Sequence, residues 1–406
     1  MLDNKGIRQL AYVTKITDIT SIENADRVEL AHVNGWQVMV KKGEFKIGDL
    51  AVYFEIDSKL PETAPFEFMK KYKYRVKTQR FLKGKVFSQG LVMSLADVGL
   101  NDAKDGDFVT ERLGVTYYEP DDNERKADSR KLAEIKADKF MEKWSKKHKF
   151  LFKFPFIYEW VRKRFLKKYF SKQKKNKIDW PAWVKKTDEE RIQNLIQIFS
   201  RPAQKEYWVT EKIDGTSTTF TMLQVPKKKR HAIICSRNVV FNTPEKEEKN
   251  FYKDTKGNVY TEMFEKYEIN KILNFILDQH PEYEYVTLQG ETYGGNIQKR
   301  KYCNDHRFAL FNYIYKVKEQ APVRLSPTQM NITVCELNKL IGTNLETVPI
   351  LYSMTLKGYD CDKLLAFAEG NSVIDGQPRE GLVFRDMNGE ESFKAVSNSY
   401  LEKYHG

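Results

Sequence analysis

The chain has 406 residues, 41% of them hydrophobic, and a net charge of +13, which is enough length for two or three domains with separate cores. Its four cysteines lie far apart without a C-x-x-C pair, which argues against a disulfide scaffold or a zinc ribbon and predicts reduced thiols in the cytoplasm. The N-terminus has no apolar signal-peptide core, and no apolar run approaches the roughly 20 residues that span a bilayer, so we expect neither secretion nor a membrane span.

Residues 1–118 are predicted to form an OB-like β-barrel. Apolar side chains alternate at Trp36, Val38 and Val40, as in a strand with one buried face. Short strands separated by Gly, Asn and Asp are typical of small barrels. The order of strands and turns over 24–54 resembles that of nucleic-acid-binding modules of the OB fold.

Residues 119–179 form a basic segment that is poor in Gly. Between positions 125 and 178 there are 20 Lys or Arg against 5 Asp or Glu, a balance of +15, so the rest of the chain sums to −2. Helix-compatible spacing predicts one or two amphipathic basic helices here. Their role stays open between a solvated linker, an arm that binds RNA and a helix on a membrane surface.

Residues 180–406 are predicted to be an α+β domain built on antiparallel sheet, because strands and helices do not alternate as in a βαβ fold. Strand-like runs cover 207–213, 217–223, 231–237, 284–291, 308–315, 381–386 and 391–396. Helical patterns cover 187–200, 260–280, 327–342 and 356–370, with Thr187 or Asp188 as the N-cap of the first.

The stretch WVTEKIDGTSTTF, residues 208–220, places Lys212 before an Asp-Gly pair and reads as a β-hairpin. K-x-D-G alone is a weak signal, since a Lys-rich chain of this length contains it by chance with a probability of roughly one in ten. Further motifs follow in a fixed order, and that order is far more specific than any single member. They are SRN at 236–238, LQGETYGG with Glu291, FALFNYIY with Phe308 and Phe311, REGLVFRD with Glu380, and SFKAVS with Lys394.

Together these motifs resemble those of the covalent nucleotidyltransferase superfamily of polynucleotide ligases and capping enzymes. The closest resemblance is to the ATP-dependent RNA ligase branch with an N-terminal OB domain, and only residues 120–178 fall outside it. The resemblance implies an ATP-grasp-like fold for the third part and an enzyme that joins RNA 3′-OH and 5′-phosphate ends. It also implies ATP with Mg²⁺ or Mn²⁺ as cofactors, RNA as partner, and a monomer that acts in RNA repair.

The resemblance assigns the nucleotide site residue by residue. Lys212 would attack the α-phosphate of ATP and form a lysyl–AMP phosphoramidate, for which its pKa must fall from about 10.4. Lys394 would neutralise the charge that develops on the α-phosphate. Arg237 would hold the ribose or the incoming 5′-phosphate, and Arg191 would contact a phosphate. Phe311 would stack on the adenine.

Carboxylates in the same motifs are candidates for holding the metal ion. Asp214, Glu291 and Glu380 supply the hard oxygen ligands that Mg²⁺ prefers, partly through its waters. Glu211 is a further nucleotide-site candidate beside the lysine, and Gly215 would allow the nucleotide to approach the backbone closely.

Each assignment has a simpler structural alternative. The Asp-Gly pair at 214–215 could form only a turn, Glu291 could be a solvated loop acid, and Arg191 could lie on the surface of a helix. At least one of Phe308 and Phe311 is expected in the core, since strand aromatics usually pack there.

The last motif departs from the family pattern, which has K-x-K where this chain has Lys394-Ala-Val396. Lys403 or Arg385 could replace the missing lysine. The departure keeps open a nucleic-acid-binding protein with an inactive nucleotidyltransferase core, and a GTP-using capping-type transferase is the other alternative. DNA ligases and capping enzymes place an OB domain after this motif, whereas nine residues follow position 397 here, so the motif order favours the RNA ligase branch.

Overall fold

The structure is a computed structural model. It describes residues 1–3, 5–81, 86–119, 122–148, 155–175, 180–224, 230–241 and 258–404. The chain separates into two compact units, Met1–Tyr117 together with Ala182–Gly406, and Tyr118–Pro181. No helix within the described residues is both long enough and apolar enough to cross a bilayer.

The N-terminal part of the first unit is a β-rich, OB-like region, as predicted. Strands β1 to β10 are Ala11–Lys15, Asp18–Ser21, Val28–Val33, Trp36–Lys41, Leu50–Phe54, Ser58–Lys59, Gln79–Phe81, Val86–Ser88, Leu91–Ser94 and Thr116–Tyr117, with a 3₁₀ helix at Ala64–Tyr72. They pair as β1-β5-β9, β2-β3-β4, β6-β10 and β7-β8. Trp36, Val38 and Val40 are all buried as predicted, but Gln37 between them is buried too, so β4 does not have one buried and one exposed face over this stretch. Asn34 and Gly35 join β3 to β4 with positive φ, as tight hairpin turns require.

Two sheets form the C-terminal part of the first unit. Strands β11 to β22 are Glu190–Arg191, Glu206–Lys212, Thr216–Leu223, Ala232–Ser236, Val240–Phe241, Tyr283–Gly294, His306–Val317, Val323–Arg324, Glu346–Thr347, Ile350–Thr355, Gly381–Asp386 and Ser392–Val396. One sheet has the order β11-β22-β21-β12-β20, and the other has β15-β14-β13-β16-β17-β18 with β19 beside β17. Pairing is antiparallel except at β11-β22 and β17-β19, which confirms the predicted α+β class.

Lys212 does not lie in a hairpin, and that prediction was wrong. Strand β12, which ends at Lys212, pairs with β20 and β21 in the five-stranded sheet. Strand β13 begins at Thr216 and pairs with β14 and β16 in the other sheet. Because these distant strands satisfy the backbone hydrogen bonds of both segments, residues 213–215 cross from one sheet to the other instead of folding back.

Helices pack on one face of the larger sheet and on one face of the smaller sheet. The α-helices of this part are Val259–Lys266, Ile269–Gln279, Pro327–Ile341, Cys361–Ala368 and Asn398–Tyr404. The helix at Pro327–Ile341 begins at a capping box, in which the Ser326 hydroxyl and the Gln329 side chain each accept from the other residue's backbone N–H. Its buried residues join those of Ile269–Gln279 in one core with β13, β16 and β17.

The helix predicted at 187–200 is not formed. Glu190 and Arg191 instead pair in parallel with Phe393 and Lys394, which requires an extended backbone. Only short 3₁₀ turns follow, at Ile192–Asn194 and Ile196–Ser200. Residues 192 to 194 are all buried, whereas three consecutive residues of an amphipathic α-helix would point in different directions and include an exposed one. Tertiary burial therefore outweighs the local helical pattern.

The second unit contains two helices, α1 at Asp122–Lys147 and α2 at Pro155–Lys175, which confirms the predicted basic helices. They pack together through a stacked ring pair, Phe140 and Phe165, whose centroids are 4.5 Å apart. The parts of the prediction at 149–154 and 176–179 lie outside the described residues.

Candidate nucleotide site

A cavity of about 520 Å³ lies between the two sheets, and residues from both line it. All ten residues predicted for the nucleotide site are among its lining residues. They are Arg191, Glu211, Lys212, Asp214, Gly215, Arg237, Glu291, Phe311, Glu380 and Lys394. The sequence motifs, which lie up to 203 positions apart (191 to 394), therefore meet in one cavity that strands of both sheets line.

Lys212 forms an ion pair with Glu380 at the floor of this cavity. The distance from Lys212 Nζ to Glu380 Oε1 is 2.8 Å, and both side chains are largely buried. Backbone register explains the contact, since Lys212 pairs with Gly381, the residue after Glu380. Gly381 has a φ of +150°, and a Cβ there would lie 2.2 Å from the Ala395 carbonyl oxygen, so only glycine fits this crossing of β21 and β22.

Electrostatics hold Lys212 protonated in this state. Burial lowers the pKa of Lys212, but the charges of Glu380, Glu291 and Asp214 outweigh burial and raise it above its usual value. A neutral amine at this position would require partial neutralisation of the carboxylates around it.

We expect Glu380→Gln to shift the titration of Lys212 to lower pH. Glu380 is the largest single influence that opposes burial, so its removal lowers the pKa of Lys212 and the neutral amine appears earlier as the pH rises. The measurement is the pH dependence of Lys212 modification by an amine-reactive reagent, quantified by peptide mass spectrometry without ligands. Glu284→Gln is the matched control, because its carboxylate pairs with Lys316 outside the cavity. An unshifted or upward-shifted profile would contradict the electrostatic argument.

The carboxylates have the character of a site for a divalent cation. Burial, together with the nearby charges of Glu380 and Asp214, raises the pKa of Glu291 to about 8 despite the attraction of Lys212. Glu380 Oε2 is buried without a hydrogen-bond partner. Buried carboxylates without enough positive charge fit a cation that binds there. In the described part of the chain no three Asp, Glu, His or Cys side chains are grouped so that they could hold a metal ion, so the predicted set of Asp214, Glu291 and Glu380 is not assembled for direct ligation.

Two tyrosines that sequence reasoning missed hold Asp214 in place. The Tyr400 hydroxyl, on the helix Asn398–Tyr404, donates to Asp214 Oδ2 at 2.7 Å. The Asp214 backbone N–H donates to the Tyr302 hydroxyl at 3.0 Å. Arg300 lies over the Tyr302 ring, 3.8 Å from its centroid, and bonds the same hydroxyl. Asp214 is therefore part of a buried network and not of a simple turn.

Asp188 links two cations that line the cavity, Lys394 and Arg237, and sequence reasoning assigned it only a helix cap. Its Oδ1 lies 2.9 Å from Lys394 Nζ, and its Oδ2 accepts from Arg237. Burial raises the pKa of Asp188, but Lys394 and Arg237 together hold it below the usual value. An anion that enters the cavity would compete with Asp188 for both cations. The ion pairs with Asp188 thus fix the positions of Lys394 and Arg237, and both cations can still bind an anion that replaces Asp188.

Arg191 lies in strand β11 and not on the surface of a helix. It pairs in register with Lys394, and its guanidinium carbon is 5.6 Å from the ring centroid of Trp36 in the OB-like region. Cation–π contact and burial fix the direction of this long side chain. The OB-like region therefore contacts a cavity residue, Arg191, through Trp36.

The two candidate aromatics divide as expected. Phe308 is fully buried and packs edge-on against Phe220, whereas Phe311 lines the cavity. Glu211 also reaches the cavity, but its Oε2 accepts from the Val373 backbone N–H at 2.9 Å, so its carboxylate serves a loop contact. The other carboxylate oxygen, Glu211 Oε1, is buried without a hydrogen-bond partner.

Gly215 lines the cavity and also has a packing role that sequence reasoning did not predict. A Cβ at this position would lie 2.3 Å from the Thr292 carbonyl oxygen and 3.0 Å from Glu291 Cγ. Glycine is therefore required for close approach to strand β16. This contact brings the Lys212 segment against Glu291, so the glycine acts on the site through packing.

Val396, at the position of the missing second lysine, is buried and lines the cavity. Of the two proposed substitutes, Arg385 lines the cavity, whereas Lys403 lies on an exposed helix face and is not among the lining residues. Arg385 donates to the Phe311 carbonyl oxygen at 2.7 Å, and burial with nearby Arg324 lowers its pKa to about 10. Arg385 is thus a buried cation among the residues that line the cavity.

Two family models match the chain. An OB-fold domain model matches residues 10–95, and an RNA ligase model matches residues 205–396. No curated protein sequence shows significant similarity to the chain.

Solved structures of an RNA ligase from Naegleria gruberi are similar to nearly the whole chain. The structure with PPi shares 30% identity at a TM-score of 0.60, over 98% of this chain and 99% of that one. A mutant with ATP and Mn shares 28% identity at a TM-score of 0.61, over the same shares of both chains. A mutant with AMP and Mn has the same identity, TM-score and coverage.

Proposed function

This chain belongs to the RNA ligase family, and from that premise we propose that it is an ATP-dependent RNA ligase that works through a lysyl–AMP intermediate. One observation carries the assignment. Lys212 is ion-paired to Glu380 inside a cavity lined by every residue that the family motifs predict. The Naegleria gruberi ligase structures with ATP, AMP, PPi and Mn support the same choice of nucleotide and metal.

In the first step, Lys212 Nζ loses a proton and attacks the α-phosphorus of ATP. The nitrogen–phosphorus bond forms as the bond from the α-phosphorus to the bridging oxygen breaks, and pyrophosphate leaves. Asp214, Glu291 and Glu380 would hold Mg²⁺ or Mn²⁺, which supplies positive charge to the phosphates when bound. Once their charge is balanced, these carboxylates no longer raise the pKa of Lys212.

The other cavity residues orient the nucleotide. Phe311 presents an aromatic ring for the adenine, and Lys394 with Arg237 would exchange Asp188 for phosphate or ribose oxygens. Arg191, held by Trp36, is the candidate for a further phosphate contact.

Two transfers to RNA follow. An oxygen of the RNA 5′-phosphate attacks the phosphorus of lysyl–AMP, which frees Lys212 and leaves an adenylylated 5′ end. The 3′-OH of the second RNA end then attacks the RNA phosphorus, its proton passes to solvent, and AMP leaves. Arg237 is the candidate residue for holding the 5′-phosphate.

The test is covalent labelling of the purified full-length chain. We expect α-phosphate-labelled ATP with Mg²⁺ to give a labelled protein band and α-labelled GTP to give none. A wild-type chain without label would overturn the proposal and favour the inactive-core alternative. Preferential labelling by GTP would favour a capping-type transferase. Neither alternative is favoured by the comparisons, which match RNA ligases.

The Tyr400 contact gives a separate prediction about metal binding. We expect Tyr400→Phe to raise the Mg²⁺ concentration needed for half-maximal self-adenylylation by about tenfold, because partners that orient metal ligands typically contribute 10–100-fold. A Mg²⁺ titration measures this midpoint, which a general loss of stability would not move. Tyr404→Phe on the same helix is the matched control, and an unchanged midpoint in Tyr400→Phe would contradict the role.

The functional domains, the substrate ends, the oligomeric state and the cellular location are further proposals. We propose three functional domains, an OB domain at 1–118, a basic helical insertion at 119–179 and a nucleotidyltransferase domain at 180–406. We also propose RNA with 3′-OH and 5′-phosphate ends as substrate and a monomeric, cytoplasmic enzyme. Size-exclusion chromatography with light scattering measures the molar mass in solution and would test whether the protein is a monomer.

A further inference from the structure

Helix α2 has one face that packs against α1 and one that does not take part in this contact. The inner face includes Phe165, which stacks on Phe140, and Arg162, which bonds Asp138 at 3.2 Å. On α1, the facing core is made by three fully buried residues, Ala133, Ala137 and Met141. The inner face therefore already satisfies the packing needs of this helix pair.

The outer face of α2 combines large exposed aromatics with cations. Phe156 is 70% exposed and Trp160 is 59% exposed, although both are large enough to be core residues. The next turns of the same face carry exposed cations. These are Lys163, Arg164, Lys167 and Lys168. We call these six residues the basic–aromatic face.

Helical spacing aligns the face into one stripe. Positions 156, 160, 164 and 167 recur at intervals of three and four residues, so their side chains follow one side of the helix. From 156 to 168 the stripe extends about 18 Å along the axis. The Arg164 guanidinium carbon lies 5.2 Å from the centroid of the Trp160 ring, so aromatic and cation are adjacent.

The surrounding charge favours an anionic partner. The segment 125–178 carries a net charge of +15, and α2 itself contains eight Lys or Arg and one Glu. A cationic stripe attracts a polyphosphate backbone, and an exposed tryptophan beside it offers a stacking surface for a base. A duplex keeps its bases stacked inside, so only unpaired nucleotides can use both features at once.

We propose that the basic–aromatic face of α2 binds the single-stranded part of the RNA substrate, with Trp160 stacking on a base and the lysines contacting phosphates. This inference rests on the proposed function, because it takes RNA as the substrate. A membrane surface fits less well. The aromatics occupy only one end of the stripe, whereas an interfacial helix needs an apolar face along its length.

The test measures equilibrium binding of the full-length chain to a fluorescent single-stranded uridine oligomer and to an RNA duplex of equal length. We expect Trp160→Ala to weaken single-strand binding by about tenfold, within the range of one lost base stack. Trp160→Phe should restore most of the affinity, and the duplex affinity should stay within about twofold. Leu340→Ala is the matched control, because Leu340 is 71% exposed on another helix.

The lysines are tested through salt dependence. In Lys163→Ala/Lys167→Ala/Lys168→Ala, the slope of log affinity against log salt should become shallower by about two, since each phosphate contact on a single strand contributes about 0.7. Unchanged single-strand affinity in both variants would overturn the proposal. Equal losses for single strand and duplex would overturn the stacking role, and binding only to phosphatidylserine vesicles would assign the face to membranes.

The readout separates this proposal from the enzymatic one. Binding is measured without ATP and without counting sealed product, so it does not depend on lysyl–AMP chemistry. A chain that binds the single strand through Trp160 but forms no adduct would refute the proposed function only. A chain that forms the adduct but binds RNA equally well without Trp160 would refute this inference only. Melting followed by circular dichroism confirms that each variant is folded.

Discussion

Lys212→Ala is expected to abolish formation of the labelled AMP adduct at every ATP and metal concentration. The reaction needs a nitrogen at this position to form the bond to the α-phosphorus, so its removal is a complete loss and not a reduced rate. The other cavity lysine, Lys394, does not substitute because it acts as a cation, paired with Asp188 at 2.9 Å, and a protonated amine is not a nucleophile. Lys212→Arg should fail as well, since a guanidinium stays protonated in a protein.

Two further arms make this result specific. Lys271→Ala removes an exposed lysine that pairs with Glu268 outside the cavity, and its adduct should match that of the wild type. Lys212→Ala should still seal RNA that carries a pre-adenylylated 5′ end, because the final step does not use the lysine as nucleophile. Label that persists in Lys212→Ala would identify another nucleophile and sink the assignment.

Much of the site could be predicted because its residues lie on or beside apolar strands with recognisable neighbours. Lys212 ends β12, Glu380 directly precedes β21, and Glu291 and Lys394 lie within β16 and β22. The order of their motifs along the chain is specific. The fold class followed from the same strands. These residues line one cavity because the two sheets lie side by side around it, an arrangement that the family resemblance implied.

Residues that act through distant contacts could not be predicted. Asp188 bonds a lysine 206 positions away, and Tyr400 bonds Asp214 across 186 positions. No local pattern encodes such a pair, because an aspartate before a helical run and a tyrosine near a chain end are both common. The predicted hairpin and the predicted helix failed for a related reason. In both segments, strands far along the chain supply the hydrogen-bond partners that local propensity ignores.

Lys394→Ala is expected to lower the rate of self-adenylylation by about 10²–10³-fold, the usual effect of removing one preorganised group that stabilises transition-state charge. Lys394 lies on β22 in register with Arg191 and lines the same cavity as Lys212. Burial lowers the pKa of Lys394 while Asp188 raises it, so the group is a desolvated cation with a single acidic partner to exchange for phosphate. Because this charge matters most as pyrophosphate departs, the rate constant at saturating ATP should fall much more than the affinity for ATP.

Single-turnover labelling at varied ATP separates the two quantities. Lys205→Ala, which removes a lysine paired with Asp386 outside the cavity, is the matched control. A loss confined to ATP affinity would instead make Lys394 a simple ground-state phosphate contact.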